Sequence, residues 1–362
     1  MDWDSLETTI LYNPRLPHYE REAAFKHLPE AGLKEHVWLA TSGSTGYIKW
    51  VALSKKAILA AAQGANTHIN AKASDRWLSC LPSFHIAGLA IQARGYLSAA
   101  RIFEMESWDP QLYVQLLDLH RITLSSLVPA QVFDLVQKGF QAPQHLRAII
   151  VGGARLQPAL YEQARTLGWP LLPSYGMTET GSMIATAANH NDPTFILLPH
   201  MQVKATATGH LQIKSPSLFT AYGHLQGEKP RFELRPKPFI TEDIGFVDGQ
   251  RLILEGRDNH FIKIGGESVD LLRLERILEE VKLRLKFTED AALFPYADPR
   301  LGHVIHLATT STDPDALVAN YHELVHPFEK IRGLHYLHLI PRSPIRKLLL
   351  RELLEQLNCN FS

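Results

Sequence analysis

RAIIVGGARLQPALYEQARTLGWPLLPSY, residues 147–175, holds the repeating unit of the fold. RAIIV (147–151) and WPLLPSY (169–175) are short apolar runs of strand length, and LQPALYEQARTLG (156–168) between them has helical character. Strands alternating with helices make a mainly parallel sheet covered by helices. The alternation extends over about residues 36–175, with VWLA (37–40), RWLSCL (76–81) and ITLSSLV (122–128) as further strands. SKKAILAAAQGA (54–65) starts on Ser54 as an N-cap, DPQLYVQLLDLH (109–120) has Asp109 at the cap and Pro110 at the first helical position, and PAQVFDLVQK (129–138) follows the same logic.

Between 203 and 255 the pattern changes. VKATATGHLQIKSP, RFELRP and FVDGQRLILEG alternate apolar and polar residues between turn signals, which predicts a small antiparallel β unit. Beyond Gly256 the pattern predicts a helix (270–286), strands (291–294, 303–308), a helix (314–325), a strand (334–340) and a last helix. The expected fold class is α/β. A large domain, 1–256, carries the parallel sheet and the β unit; a small α+β domain occupies 257–362.

The chain has 362 residues, with 37 acidic and 37 basic side chains. Such a balance gives no global field for nucleic acid or an anionic membrane. Cys80 and Cys359 lie in no CxxC or Cys/His cluster, which argues against a zinc site or a disulfide framework. MDWDSLETTI has no basic or apolar signal region and no apolar run reaches a membrane span, so a cytoplasmic location is expected.

Three stretches carry chemistry. In TSGSTGYIK (41–49) an apolar run enters Thr41, Ser42, Gly43, Ser44, Thr45 and Gly46, with Lys49 beyond. Such a loop offers N–H groups and hydroxyls to phosphate oxygens; no Gly-Lys-Ser/Thr follows, so it is not a Walker A loop, and by itself it is equally an ordinary Ser/Gly turn. In LLPSYGMTETGS (171–182), Tyr175 suits stacking on a base, Thr178 a phosphate oxygen, and Glu179 a Mg²⁺ ion, although Glu179 also fits a solvated loop carboxylate. Gly152, Gly153 and Ala154 end a strand and allow a flat ring close to the backbone, or simply a turn into a helix.

The order of these stretches resembles the adenylate-forming superfamily of acyl- and aryl-CoA ligases, peptide-synthetase adenylation domains and luciferase. The resemblance spans residues 41–353. It implies a phosphate loop in TSGSTGYIK, and adenine and Mg²⁺ segments in GGA and SYGMTET, with Ser174, Tyr175 and Gly176 at the nucleotide. TEDIGFVDG (241–249) is similar to the segment whose aspartate, here Asp243, holds the ribose. GRDNHFIKIGGESVDLLRLE (256–275) resembles the domain hinge, with Arg257 on the ribose and Gly265 and Gly266 lining a pantetheine tunnel. PRSPIRKLLLREL (341–353) resembles the motif whose lysine, here Lys347, contacts the carboxylate and the α-phosphate. The implied activity activates a carboxylic acid with ATP and Mg²⁺ and transfers it to CoA.

Some positions depart from the pattern. Ile48-Lys49-Trp50 replaces the usual Pro-Lys-Gly, Arg346 replaces a glycine, and the hinge position falls on Asn259, with Asp258 one place early. Only 40 residues precede the phosphate loop, where relatives carry a whole subdomain, so a partner or a second copy is expected to cover that flank.

LPSFHIAGLAI, SSLVPAQVFDLV, IIVGGARLQPALYEQAR and LPSYGMTETGSMIAT resemble one branch, the o-succinylbenzoate–CoA ligases. That implies a dianionic acid, 2-succinylbenzoate, with Phe84, His85, Gly88, Arg94, Thr180 and Ser182 as pocket residues. His85 either gates the acid or is an ordinary core histidine. Another aryl or acyl acid, or transfer to a carrier protein, remains open at this stage.

Overall fold

The computed structural model describes residues 1–14, 16–42, 48–225, 230–257, 261–342 and 348–359, with the backbone alone at 42, 257, 272, 358 and 359. These form two compact units that divide near residue 258.

In the first unit the parallel strands follow from their apolar runs. Arg101–Glu104, Arg76–Ser79, Leu124–Leu127, Ala148–Val151 and Leu171–Met177 lie side by side in that order, all parallel. Helices Pro110–Leu119, Pro129–Gln137 and Pro158–Thr166 cover one face, burying Tyr113, Leu117, Leu135, Leu160 and Trp169 against Leu78, Ile149 and Leu171. Helices Lys55–Ile69 and Ile86–Ser98 cover the other. The expected caps are present: Ser54 accepts from the Ala57 N–H at 3.1 Å and Asp109 from the Leu112 N–H at 2.7 Å.

The antiparallel part is not a separate β unit. The same sheet continues from Leu171–Met177 through Ser182–Asn189, Asp192–Leu197, Arg251–Arg257, Phe239–Asp248, His210–Lys214 and Gln202–Ala205 to reach eleven strands. Two of these, Ser182–Asn189 and Asp192–Leu197, have no forerunner in the sequence analysis. Their Ala, Ser, Thr and Asn residues give little apolar contrast, and tertiary pairing overrides that weak local preference.

VWLA is also placed differently from expectation. It belongs to a second, five-stranded sheet in the order Thr9–Leu11, His36–Ser42, Ile48–Ser54, Ala221–His224, Arg231–Leu234. His36–Ser42 and Ile48–Ser54 pair antiparallel, so TSGSTGYIK connects a hairpin rather than a strand and a helix. The cause is apolar side chains on both faces. Val37, Leu39, Val51 and Leu53 turn toward helices Lys55–Ile69 and Ile86–Ser98, while Trp38, Trp50 and Ala52 turn toward helix His18–His27. Trp50, one of the departures from the expected pattern, is core. With Trp38 it packs over Gly223, where a Cβ would lie 3.2 Å from Trp38 and 3.4 Å from Trp50.

The second unit is a small α+β body. Glu267–Asp270, Phe261–Ile264, Gly302–Thr309 and Ala291–Asp298 form its sheet, with Ile331–Tyr336 parallel to Gly302–Thr309. Helices Leu271–Leu285 and Asp315–Glu323 pack on one face, and Leu350–Cys359 sets Leu353 and Leu357 against Phe294 and Ala308. Buried Glu329 is paired with Arg273 and accepts from the His326 N–H at 3.0 Å. The last internal strand lies at 331–336, shifted from the expected 334–340. Among the described residues, no helix is long and apolar enough to cross a membrane.

One buried carboxylate ties the starts of three parallel strands. Asp75, 4% exposed, accepts from Arg147 Nε and Nη2 at 3.0 and 2.7 Å, from Thr123 Oγ1 at 2.7 Å and from the Lys72 N–H at 2.8 Å. Burial alone would raise its pKa, but Arg147, Thr123 and Lys72 together hold it below the usual carboxylate value. A lowered folded-state pKa adds stability above the unfolded value and loses it as pH falls through the folded one. Asp75→Asn is therefore expected to cost about 1–3 kcal/mol at neutral pH. The difference from wild type should shrink as pH drops below the carboxylate range, as urea melts across pH would reveal.

Candidate active site

The five parallel strands end on one side, where an open α/β sheet holds its ligands. Gly152 leaves strand Ala148–Val151 and donates its N–H to Leu127 O at 3.1 Å. Next to it, Ser174 donates to Val151 O at 3.0 Å. A Cβ at Gly152 would stand 2.9 Å from the Ser174 hydroxyl, which would have to turn aside to admit it. Gly153 has φ +83°, a left-handed conformation that suits glycine. Ala154 follows, half-buried.

Tyr175 extends from the same edge, and its hydroxyl donates to Asp243 Oδ2 at 2.7 Å. In sheet order, Ser182–Asn189, Asp192–Leu197 and Arg251–Arg257 stand between their strands. The sheet must coil strongly to close that gap, as its twist and register breaks permit. Asp243 is the register partner of Arg257, which places the two expected ribose residues opposite each other on neighbouring strands.

Glu179 lies in the 3₁₀ turn Thr178–Thr180 after strand Leu171–Met177. Its Oε1 is 3.0 Å from Lys49 Nζ and accepts from the Tyr222 hydroxyl at 3.2 Å. Lys49 Nζ also sits 4.1 Å from the centre of the Tyr222 ring. The Glu179 carbonyl accepts from the Phe219 N–H at 2.9 Å, so the turn is pinned at both backbone and side chain. Thr178 is half-buried beside it. Tyr222 lies in LFTAYGHL (218–225), which carries no motif signal of its own.

The expected acid-pocket residues divide. Arg94 is 3% exposed, on helix Ile86–Ser98. Its Nη2 donates to Ser182 Oγ at 3.3 Å and its guanidinium lies 5.9 Å from the Trp77 ring centre, while Nε has no hydrogen-bond partner. Burial pulls its pKa down to about 10, which still leaves it a cation at neutral pH. No carboxylate pairs with it among the described residues. Ser182 has φ +119°, a costly conformation for a residue with a Cβ, and its carbonyl closes on Gly176, where a Cβ would be 1.9 Å away. Phe84 and His85 are half-buried with ring centres 4.7 Å apart.

Thr180 and Gly88, both expected pocket residues, also have packing roles. Thr180 is fully buried, its hydroxyl engaged with Met177 O at 3.0 Å and Ser182 O at 2.9 Å, so it shapes the turn. Gly88 lets the helix start press on the 81–82 turn, because a Cβ would come within 2.3 Å of Pro82 O. Gly265 and Gly266, in the second unit, form a turn with φ +59° and +96°, and Lys263 Nζ donates to Gly266 O at 3.4 Å. Thr41 donates its hydroxyl to Lys49 O at 2.9 Å, holding the hairpin closed. Gly43, Ser44, Thr45, Gly46 and Lys347 lie outside the described residues, as do the side chains of Ser42 and Arg257.

The sequence profile of the AMP-binding enzyme family matches residues 23–222. The chain belongs to the AMP-binding enzyme family. It is 26% identical over 335 residues to a 2-succinylbenzoate–CoA ligase of Bacillus cytotoxicus, across 86% of this chain and 68% of that protein. Its fold is similar to that of the o-succinylbenzoate CoA synthetase of Bacillus subtilis bound with a product analogue, with a TM-score of 0.74, 22% identity, and 88% and 69% of the two chains covered. The same enzyme with ATP and magnesium ion matches with a TM-score of 0.56 and 23% identity, over 88% and 69%.

The Lys49 and Glu179 side chains are 24% and 14% exposed, so the pair is largely buried and losing one partner strands the other charge. Lys49→Met is expected to cost about 1–3 kcal/mol of stability. With Lys49 on the phosphates, as the motif resemblance implies, ATP affinity should fall on the order of tenfold. Thermal melting and calorimetric ATP titration of one variant separate the two effects.

Proposed function

We propose that the protein is an acid–thiol ligase that adenylates 2-succinylbenzoate with ATP and passes the acyl group to CoA. The observation that carries this reading is the convergence of Lys49 on Glu179 and of Tyr175 on Asp243, four groups from three distant segments gathered at one sheet edge. Names of relatives and the motif order support the same reaction.

A carboxylate and a triphosphate are both anions, so their meeting needs cations and donors. Lys49 and the 41–46 loop serve the β- and γ-phosphates. Glu179 suits Mg²⁺: it is a hard oxygen donor with Oε1 held by protein partners, whereas Oε2 has no hydrogen bond among the described residues. When bound, the ion neutralises phosphate charge. Tyr175 and the 152–154 backbone receive the base, and Asp243 and Arg257 the ribose. The acid's carboxylate oxygen attacks the α-phosphorus and the bond to pyrophosphate breaks. No base is required, because the acid is already ionised. CoA thiolate then attacks the acyl carbon and AMP leaves. We assign Lys347 to the first step and Gly265 and Gly266 to the pantetheine arm. The division near residue 258 supports a small C-terminal domain that turns about residues 257–260 between the steps.

For the acid, buried Arg94 is the informative group. An unpaired cation in the interior is costly, and the second carboxylate of a dianionic acid would compensate it, with Ser182 as a neighbouring donor. Phe84 and His85 line the approach.

Pyrophosphate release across a panel of aryl and aliphatic acids, followed by CoA consumption, tests the reading. The expected result is 2-succinylbenzoate as the best acid, with AMP and a thioester as products. A clear preference for another acid overturns the substrate; absence of pyrophosphate with every acid overturns the reaction. Arg94→Met should raise KM for the dicarboxylate on the order of tenfold or more, and change KM for a matched monocarboxylate far less.

A further inference from the structure

The pairing register explains how Tyr222 meets both members of the Lys49–Glu179 pair. Tyr222 stands opposite Val51, and Lys49 opposite His224, on antiparallel neighbours. Lys49 is thus the diagonal neighbour of Tyr222 on the same face, a distance that a long side chain and an aromatic ring span. The Phe219 N–H holds the Glu179 backbone within reach of the same strand. Burial first, and the Glu179 charge second, raise the Tyr222 pKa well above that of a free phenol, so its hydroxyl keeps its proton.

We propose that Tyr222 is a positioning residue that holds Oε1 of Glu179 and so presents Oε2 to a divalent cation. This rests on the reading of Glu179 as the metal-binding carboxylate. Lys49 and Tyr222 now share Oε1. Nucleotide phosphates draw Lys49 away, and Tyr222 is the donor that stays. A phenol carries no charge, so it fixes the carboxylate without repelling the incoming cation, which a second lysine would do. Outer partners of this kind set the orientation of metal-binding groups.

The test uses Mn²⁺ as the probe, titrated by electron paramagnetic resonance into the full-length protein with ATP and no acid. Tyr222→Phe keeps the ring beneath Lys49 and removes only the hydroxyl. It should weaken Mn²⁺ binding on the order of tenfold, while ATP binding in EDTA stays within about twofold of wild type, because the nucleotide contacts are intact. Glu179→Gln is measured alongside. If it weakens Mn²⁺ and Tyr222→Phe does not, the role of Tyr222 is overturned and the metal reading survives. If Glu179→Gln binds Mn²⁺ like wild type, the metal reading falls and the proposal with it.

Discussion

Glu179 is the residue on which the site depends. It sits where the eleven-stranded and five-stranded sheets approach, and it takes one contact from the hairpin strand, one from the adjacent strand, and a backbone bond from Phe219. Each contact is modest. Together they leave the carboxylate one place to be. The site is thus a seam between two sheets, and the sheets are held apart at the right spacing by helices Lys55–Ile69 and Ile86–Ser98. Gly181 shows how tight that seam is. It has φ +69°, and a Cβ there would be 3.1 Å from Ala61 on the first of those helices.

The second constraint is the coiling of the large sheet. Parallel strands contribute Gly152, Ser174 and Tyr175; antiparallel strands contribute Asp243 and Arg257. A flat sheet would keep these groups several strands apart. Twist and register breaks turn the antiparallel end back over the parallel edge, and the Tyr175–Asp243 bond marks the closure. The acid end follows another logic. Arg94 is buried beside Trp77 and Ser182 with no compensating carboxylate among the described residues. Ser182 is held in a costly backbone conformation by the turn that positions Glu179. One short segment, 178–182, therefore carries both Glu179 and the Ser182 hydroxyl that meets Arg94.

The order of the segments was legible because each has a local cause. Apolar runs, the Ser54 and Asp109 caps, and Gly152 and Gly153 at a strand end all act within a few residues. Thr180 and Gly88 show the limit: their residue types suit ligand contacts, and the packing each also performs has no local signal. Trp50 shows the reverse. A departure from the family pattern beside Lys49 is a core side chain answering Trp38 and Gly223.

The sequence by itself determined the α/β class of the parallel region, the change of character after residue 203, and the motif order that marks an AMP-binding enzyme. Those follow from period, caps and residue chemistry, which are local. Only the tertiary structure decided that TSGSTGYIK connects a hairpin, that the antiparallel strands extend the parallel sheet, and that Tyr222 shares Glu179 with Lys49. Those depend on which faces bury against which and on pairings between distant segments. A strand's own pattern specifies its faces but not its neighbours.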